Sequence, residues 1–194
     1  MSDHKKEKKM TSIELMVEEH KYIVRMLEVV RKICVKVLNE MPVPYDDFAN
    51  IILFIKEYAD LHHHGKEEKF LFQEMVEQLG AIGKKLVING MLVEHDWGRL
   101  FISELQVALQ RVQDGDEDSK VDVIANAIGY ANHLQRHIKK EDELIYVFAE
   151  KNLPEDSMRK IEDLTKNYEK EASEQGIQEK YLAILQQLEK KYMG

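Results

Sequence analysis

One cysteine, three prolines, nine glycines and one tryptophan in 194 residues rule out several kinds of protein at once. The lone Cys34 excludes an internal disulfide and a zinc site built on paired cysteines. Set in the apolar run "ICVKVL", it is expected to be a buried structural thiol. So little proline and glycine, beside 33% charged residues, points to long helices. No apolar run approaches twenty residues and no signal-peptide core is visible, so a soluble, cytoplasmic protein that spans no membrane is expected. Positive charge is outnumbered by negative. With 28 Lys and Arg against 36 Asp and Glu, the net charge is -8, the wrong sign for binding a phosphate backbone, and nucleic acid is not an expected partner.

What remains is divided by a few breakers. "NEMPVPYDD" (39–47), "QLGAIGKK" (78–85), "QDGDEDSK" (113–120) and "KNLPEDS" (151–157) carry the strong turn signals. Between them lie segments 11–40, 46–79, 83–113 and 119–151, each with apolar residues at three- and four-residue spacing. Thr11 or Ser12 with downstream Glu14 or Glu18 marks the first helix start, and Asp46 or Asp47 is expected to start the second. Four long segments with short connections predict an all-α fold, an antiparallel up-down-up-down four-helix bundle over 11–151. Residues 1–10, with His4, are expected to be a disordered polar tail. Residues 152–194 form a C-terminal helical appendage. There Tyr181, Leu185, Leu188 and Tyr192 share one face, which must cover the bundle itself or a second copy in a homodimer.

The two halves of the bundle repeat each other. "VEEHKYIVRML" around His20 matches "LVEHDWGRLFI" around His95, and "HHGKEEKFLF" from His63 matches "HIKKEDELIY" from His137. The offsets are 75 residues for His20 to His95, and 74 both for His63 to His137 and for Glu67 to Glu141. Counted from the loops at about 1.5 Å per residue, all four sites fall at nearly one level of the bundle. His and Glu at i and i+4 share a helix face. Two lone histidines and two His-x-x-x-Glu pairs can therefore converge on the bundle axis.

A single histidine on an apolar face is ordinarily a satisfied core residue, but six such positions at one level are not explained that way. Buried imidazoles and carboxylates need partners, and metal ions supply them. Four imidazoles and two carboxylates exceed one tetrahedral zinc site. They suit two adjacent octahedral-type ions bridged by the carboxylates and a solvent oxygen.

With "EEH" at His20, "HHGKEE" at His63 and Glu67, "EHDWGR" at His95, and "HIKKED" at His137 and Glu141, residues 11–150 resemble the hemerythrin-like, or HHE cation-binding, family. The resemblance implies a left-handed four-helix bundle around a non-heme diiron centre that binds dioxygen or a related small molecule. It places metal ligands at His20, His63, Glu67, His95, His137 and Glu141, with two iron ions as the cofactor and zinc or another divalent metal as a substitute. Oxygen-carrying relatives place a further histidine where this chain has Arg99, and a carboxylate five residues after the last histidine, at Asp142. Helical geometry and the match to Glu67 favour Glu141. His133, one turn before His137, is the candidate for the fifth imidazole.

Other residues receive plainer expectations. His62 and His64 lie about 100° to either side of His63 on an α-helix and are expected at the surface or in support of the ligands, with an additional ligand role open to either. Tyr130 faces inward as a core tyrosine with a hydrogen bond. Glu68 and Asp142 extend solvated charge runs, and Lys66 and Lys140 form solvated ion pairs. Gly65, Gly98 and Gly129 serve close helix packing or leave a gap for a small gas. Three functions remain open: binding or sensing dioxygen or handling iron; reduction of peroxide, dioxygen or nitric oxide; and a metal-dependent module regulating a partner through residues 154–192.

Overall fold

The computed structural model describes residues 10–194, so the expectations for the preceding tail and for His4 lie outside the described residues. Every long element is helical, and there is no strand among the described residues. Helix α1 is Ser12–Leu38, opened by a reciprocal cap: Thr11 Oγ1 accepts from the Glu14 amide while Glu14 accepts from the Thr11 amide. Helix α2 runs over 45–78, α3 over 80–113, α4 over 120–152, α5 is Glu155–Glu174 and α6 is Ile177–Tyr192. No helix among the described residues is long and apolar enough to cross a membrane.

Two helix starts differ from expectation. Helix α2 begins at Tyr45 behind Pro44 with no side-chain cap. Asp47 instead accepts hydrogen bonds from Lys191, at 2.6 Å, and from Tyr192 of α6. Helix α3 starts at Gly80, three residues early, because the turn is tighter than its sequence suggests. Gly80 takes φ +58°, and a Cβ on Gly83 would stand 2.0 Å from the Met75 carbonyl oxygen, so only glycine permits the approach.

Helices α2, α3 and α4 are not uniformly α. Ile55–His64, Glu67–Leu71, Val87–Met91 and Glu141–Ile145 have π-type i→i+5 bonding. Such segments turn roughly 80° per residue instead of 100°, and they recur at functional sites. Three of the four contain or adjoin the His-x-x-x-Glu positions.

The core has two apolar layers. One gathers Ile23 through Val37, Phe48 through Ala59, Ile102 through Val112 and Val123 through Ile138. The other gathers Ile13, Met16, Leu71, Phe72, Met75, Met91, Ile145 and Tyr146. Between them, on all four helices, lies a layer of buried polar side chains. Cys34 sits in the first layer, where burial pushes its thiol up to about 11. The apolar face of α6 is spent within the chain: Tyr181, Leu185, Leu188 and Tyr192 join the first layer against α1 and α2. Arg25 of α1 pairs with Glu189 through Nε at 2.8 Å and Nη2 at 2.7 Å, fixing the same contact from outside.

Candidate metal centre

His20, His63, Glu67, His95, His137 and Glu141 meet in the polar layer, none more than 2% exposed. His20 Nε2 stands 2.8 Å from His63 Nε2, and His95 Nε2 stands 3.1 Å from His137 Nε2. The carboxylates lie between these imidazole pairs. Glu141 places one oxygen 3.0 Å from His137 Nε2 and the other 3.4 Å from His20 Nε2. Glu67 Oε2 stands 3.6 Å from His95 Nε2 and 3.9 Å from His63 Nε2. Separations of this size are those of neighbouring donors around an ion bound at about 2.1 Å.

Each imidazole is fixed from behind. Nδ1 of His20 meets Asp142 at 2.7 Å, that of His63 meets Glu19 at 2.8 Å, that of His95 meets Glu68 at 2.6 Å, and that of His137 meets Glu94 at 3.0 Å. A carboxylate on Nδ1 sets the tautomer, aims Nε2 inward and makes it a better donor. Glu68 and Asp142 are therefore not merely solvated. One residue beyond each central carboxylate, they reach the outer nitrogen of a histidine on a neighbouring helix. Lys66 departs from expectation, being buried against Glu19, whereas Lys140 forms the solvated ion pair expected of it, with Glu94.

A fifth imidazole joins them, from His64 and not from His133. His64 stacks on His95 with ring centroids 3.8 Å apart and carries Asp60 on Nδ1 at 3.1 Å. Two donor groups result, each compact enough to hold a metal ion: His64, His95 and His137; and His20, His63, Glu67 and Glu141. On the wider π-type turn the angle between His63 and His64 shrinks, and both face inward. His133 does not take this part, because its Nε2 is bound 2.8 Å from the Glu94 carbonyl oxygen. Arg99 clamps the supporting acids, reaching Asp60 Oδ1 and Glu68 Oε1, each at 2.7 Å. His62 also stays outside the centre, 3.2 Å from both Glu19 and Glu169, in a cluster already filled by the Lys66 ammonium.

The remaining polar atoms test whether a cation fits. Glu67 Oε2 and both oxygens of Glu141 are buried without a hydrogen-bond partner. Glu67 Oε1 accepts from the Tyr146 hydroxyl at 2.5 Å, a partner that sequence patterning did not single out. Unsatisfied buried carboxylate oxygens cost at least 1–3 kcal/mol each, roughly, and a cation between them removes that cost. The donor set fits.

Protonation follows the same logic. Burial disfavours charge on His20, yet its bond to Asp142 and the adjoining negative charge of Glu141 outweigh this and raise it to about 9. His95 rises to about 9 against burial through Glu141 and Glu68, and His137 to about 10 against burial through Glu141. His63 falls to about 4, by burial and the neighbouring charge of His20. Burial and the Glu141 charge raise Glu67 to about 8, while His137 holds Glu141 well below the carboxylate range despite its burial. In the metal-free chain, protons stand in for cations.

Beside the centre is a cavity of about 80 Å³, lined by Ile55, His64, His95, Gly98, Ile102 and Tyr130 among others. Tyr130 is 2% exposed, and its hydroxyl has no hydrogen-bond partner among the described residues, contrary to expectation. Gly98 opens onto this cavity, whereas a Cβ on Gly129 would strike the Phe101 ring at 2.6 Å, so Gly129 serves packing.

No curated protein and no solved structure matches the chain significantly. The hemerythrin HHE cation-binding domain profile matches residues 11–149, which covers all four bundle helices that carry the inward donors. With that match spanning most of its length, the chain belongs to the hemerythrin HHE cation-binding family.

Proposed function

We propose that the protein is a non-heme diiron protein that binds dioxygen or a related small molecule. His20, His63, Glu67, His95, His137 and Glu141 would hold the ions, with His64 as the fifth imidazole. The observation that carries this is the set of three buried carboxylate oxygens that accept no hydrogen bond and face imidazole nitrogens at 3.0–3.9 Å, on rings whose outer nitrogens each bear a carboxylate. Imidazole and carboxylate donors suit iron, and the family match supports a metal in this place. When bound, an iron pair supplies electrons to dioxygen or peroxide, one from each ion.

The chain's own residues set the conditions for that chemistry. Glu67 and Glu141, whose oxygens lie between the two imidazole groups, would be the carboxylates shared by the two ions. The apolar layers above and below exclude water. The cavity beside His64 and His95 has room for a molecule of a few atoms. The free hydroxyl of Tyr130 offers one hydrogen bond there, which favours a second reading, reduction of peroxide, because turnover needs a donor at the ligand.

The test is to reconstitute the protein anaerobically with ferrous iron, admit air, and return it to argon while following the visible spectrum. Dioxygen binding gives a new band that reverts under argon. Bound iron with no spectral response to air would contradict the proposal. A band that is lost and does not return when air is re-admitted, and is lost more slowly in Tyr130→Phe, selects the second reading.

A further inference from the structure

Lys66 is the one buried lysine or arginine among the described residues. Its ammonium is held by Glu19, by Glu169 and, at 3.2 Å, by His62 Nε2. Glu19 offers one oxygen to Lys66 and the other to His63 Nδ1. Glu169 belongs to α5, beyond the residues that match the family. A line of contacts thus runs from the C-terminal helices through Lys66 and Glu19 to an inward-facing imidazole. The other half of the repeat has the inner part of this line alone: Lys140 pairs with Glu94, which meets His137 Nδ1. There the lysine side chain is 41% exposed, and Arg136 stands where His62 would be.

We propose that Glu169 is a positioning residue for the metal centre, acting through Lys66 and Glu19 on His63, so that the C-terminal helices set the affinity of one half-site. The inference rests on the two-metal reading above. The ammonium of Lys66 and the Nδ1–H of His63 compete for the same carboxylate. Shared between Glu19 and Glu169, Lys66 draws less on Glu19. Without the charge of Glu169, Glu19 is the one carboxylate left on the ammonium, in surroundings of low dielectric. Glu19 then moves toward Lys66, and His63 loses both basicity and orientation. Both C-terminal helices keep Glu169 in place. Gln178 donates to its other oxygen at 2.8 Å, Tyr168 donates to the Leu61 carbonyl at 2.9 Å, and the Tyr168 ring stacks on His62 at 5.5 Å.

The test compares the full chain with Glu169→Gln, Tyr168→Phe and the double variant Glu169→Gln/Lys66→Met. Stepwise zinc titration against a chelator reads each site. Glu169→Gln is expected to weaken one zinc step by about tenfold and leave the other unchanged. Tyr168→Phe, which removes one tether of α5 but keeps the Glu169 charge and its bond from Gln178, is expected to weaken that step by less than Glu169→Gln. The double variant is expected to recover most of the loss, because Glu19 returns to His63 once the competing ammonium is gone. In metal-free protein, Glu169→Gln should shift the Nδ1–H resonance of His63 and leave that of His137 in place, and this arm decides the question even if the two-metal reading fails. The proposal is overturned if neither the zinc steps nor the His63 resonance change. It is also overturned if Tyr168→Phe weakens zinc binding as much, or if the double variant is weaker than Glu169→Gln.

Discussion

Glu141 and Asp142, adjacent in sequence, address opposite nitrogens of the same ring: Glu141 lies 3.4 Å from His20 Nε2, and Asp142 lies 2.7 Å from His20 Nδ1. One acid faces the centre, and the other holds the ring from behind. Glu67 and Glu68 repeat the division around His95, at 3.6 Å from Nε2 and 2.6 Å from Nδ1.

This division predicts two different losses. Glu141→Ala removes two inward oxygens and should abolish binding of the second metal ion. Asp142→Asn keeps every inward donor and should weaken metal binding by about 10- to 100-fold while two ions still bind at saturation. Calorimetric metal titration separates the two results. Equal loss of stoichiometry in both would mean that Asp142 is itself a ligand.

His64 and His133 make a second contrast. His64→Leu should weaken the ion held with His95 and His137, lowering metal content toward one ion per chain. His133→Leu removes a side chain bound to a backbone carbonyl and should leave metal content unchanged. Elemental analysis of both variants checks this.

The pH dependence has a definite sign. In the metal-free chain His20, His95 and His137 are raised from 6.5 to about 9–10, and Glu67 from 4.5 to about 8. The folded state then binds more protons than the unfolded chain, so stability falls as pH rises, chiefly from about 6.5 to 10. The lowered His63 acts oppositely, costing stability as pH falls from 6.5 toward 4. Melting temperature without metal should therefore decline between pH 6.5 and 10. Metal displaces those protons, so the gap between loaded and metal-free melting temperatures should widen over the same range. Titration in buffers of different ionisation enthalpy should show release of about four protons at pH 7.

Tyr146→Phe leaves Glu67 Oε1 buried and unpaired. Metal-free protein should lose about 1–3 kcal/mol of stability in urea unfolding. The loss should shrink with metal bound, because that oxygen can turn to the ion. An equal loss in both states would assign Tyr146 to packing alone.

Much of this was legible in the sequence because the repeat constrains it. The helical period placed six donors at one level, and the 74-residue offset chose Glu141. What escaped depended on departures from α geometry. His64 was turned outward by a 100° rotation that the π-type segment Ile55–His64 does not obey. The roles of Glu19 and Glu94 were written in "EEH" and "VEH", each glutamate directly preceding the lone histidine. Their partners His63 and His137 are on other helices, however, and only the packing shows the pairing. Glu169 lies outside the repeat altogether, so no internal comparison pointed to it. Tyr146 escaped for a different reason, because its repeat counterpart is Phe72. An aromatic position reads as core in both halves, and the hydroxyl's bond to Glu67 is visible only in three dimensions.

Iron stoichiometry tests the central claim most directly. Protein reconstituted anaerobically with ferrous iron and freed of excess should contain two irons per chain and melt at a higher temperature than the metal-free form. One iron or fewer per chain, with no rise in melting temperature on adding ferrous iron, would contradict the account.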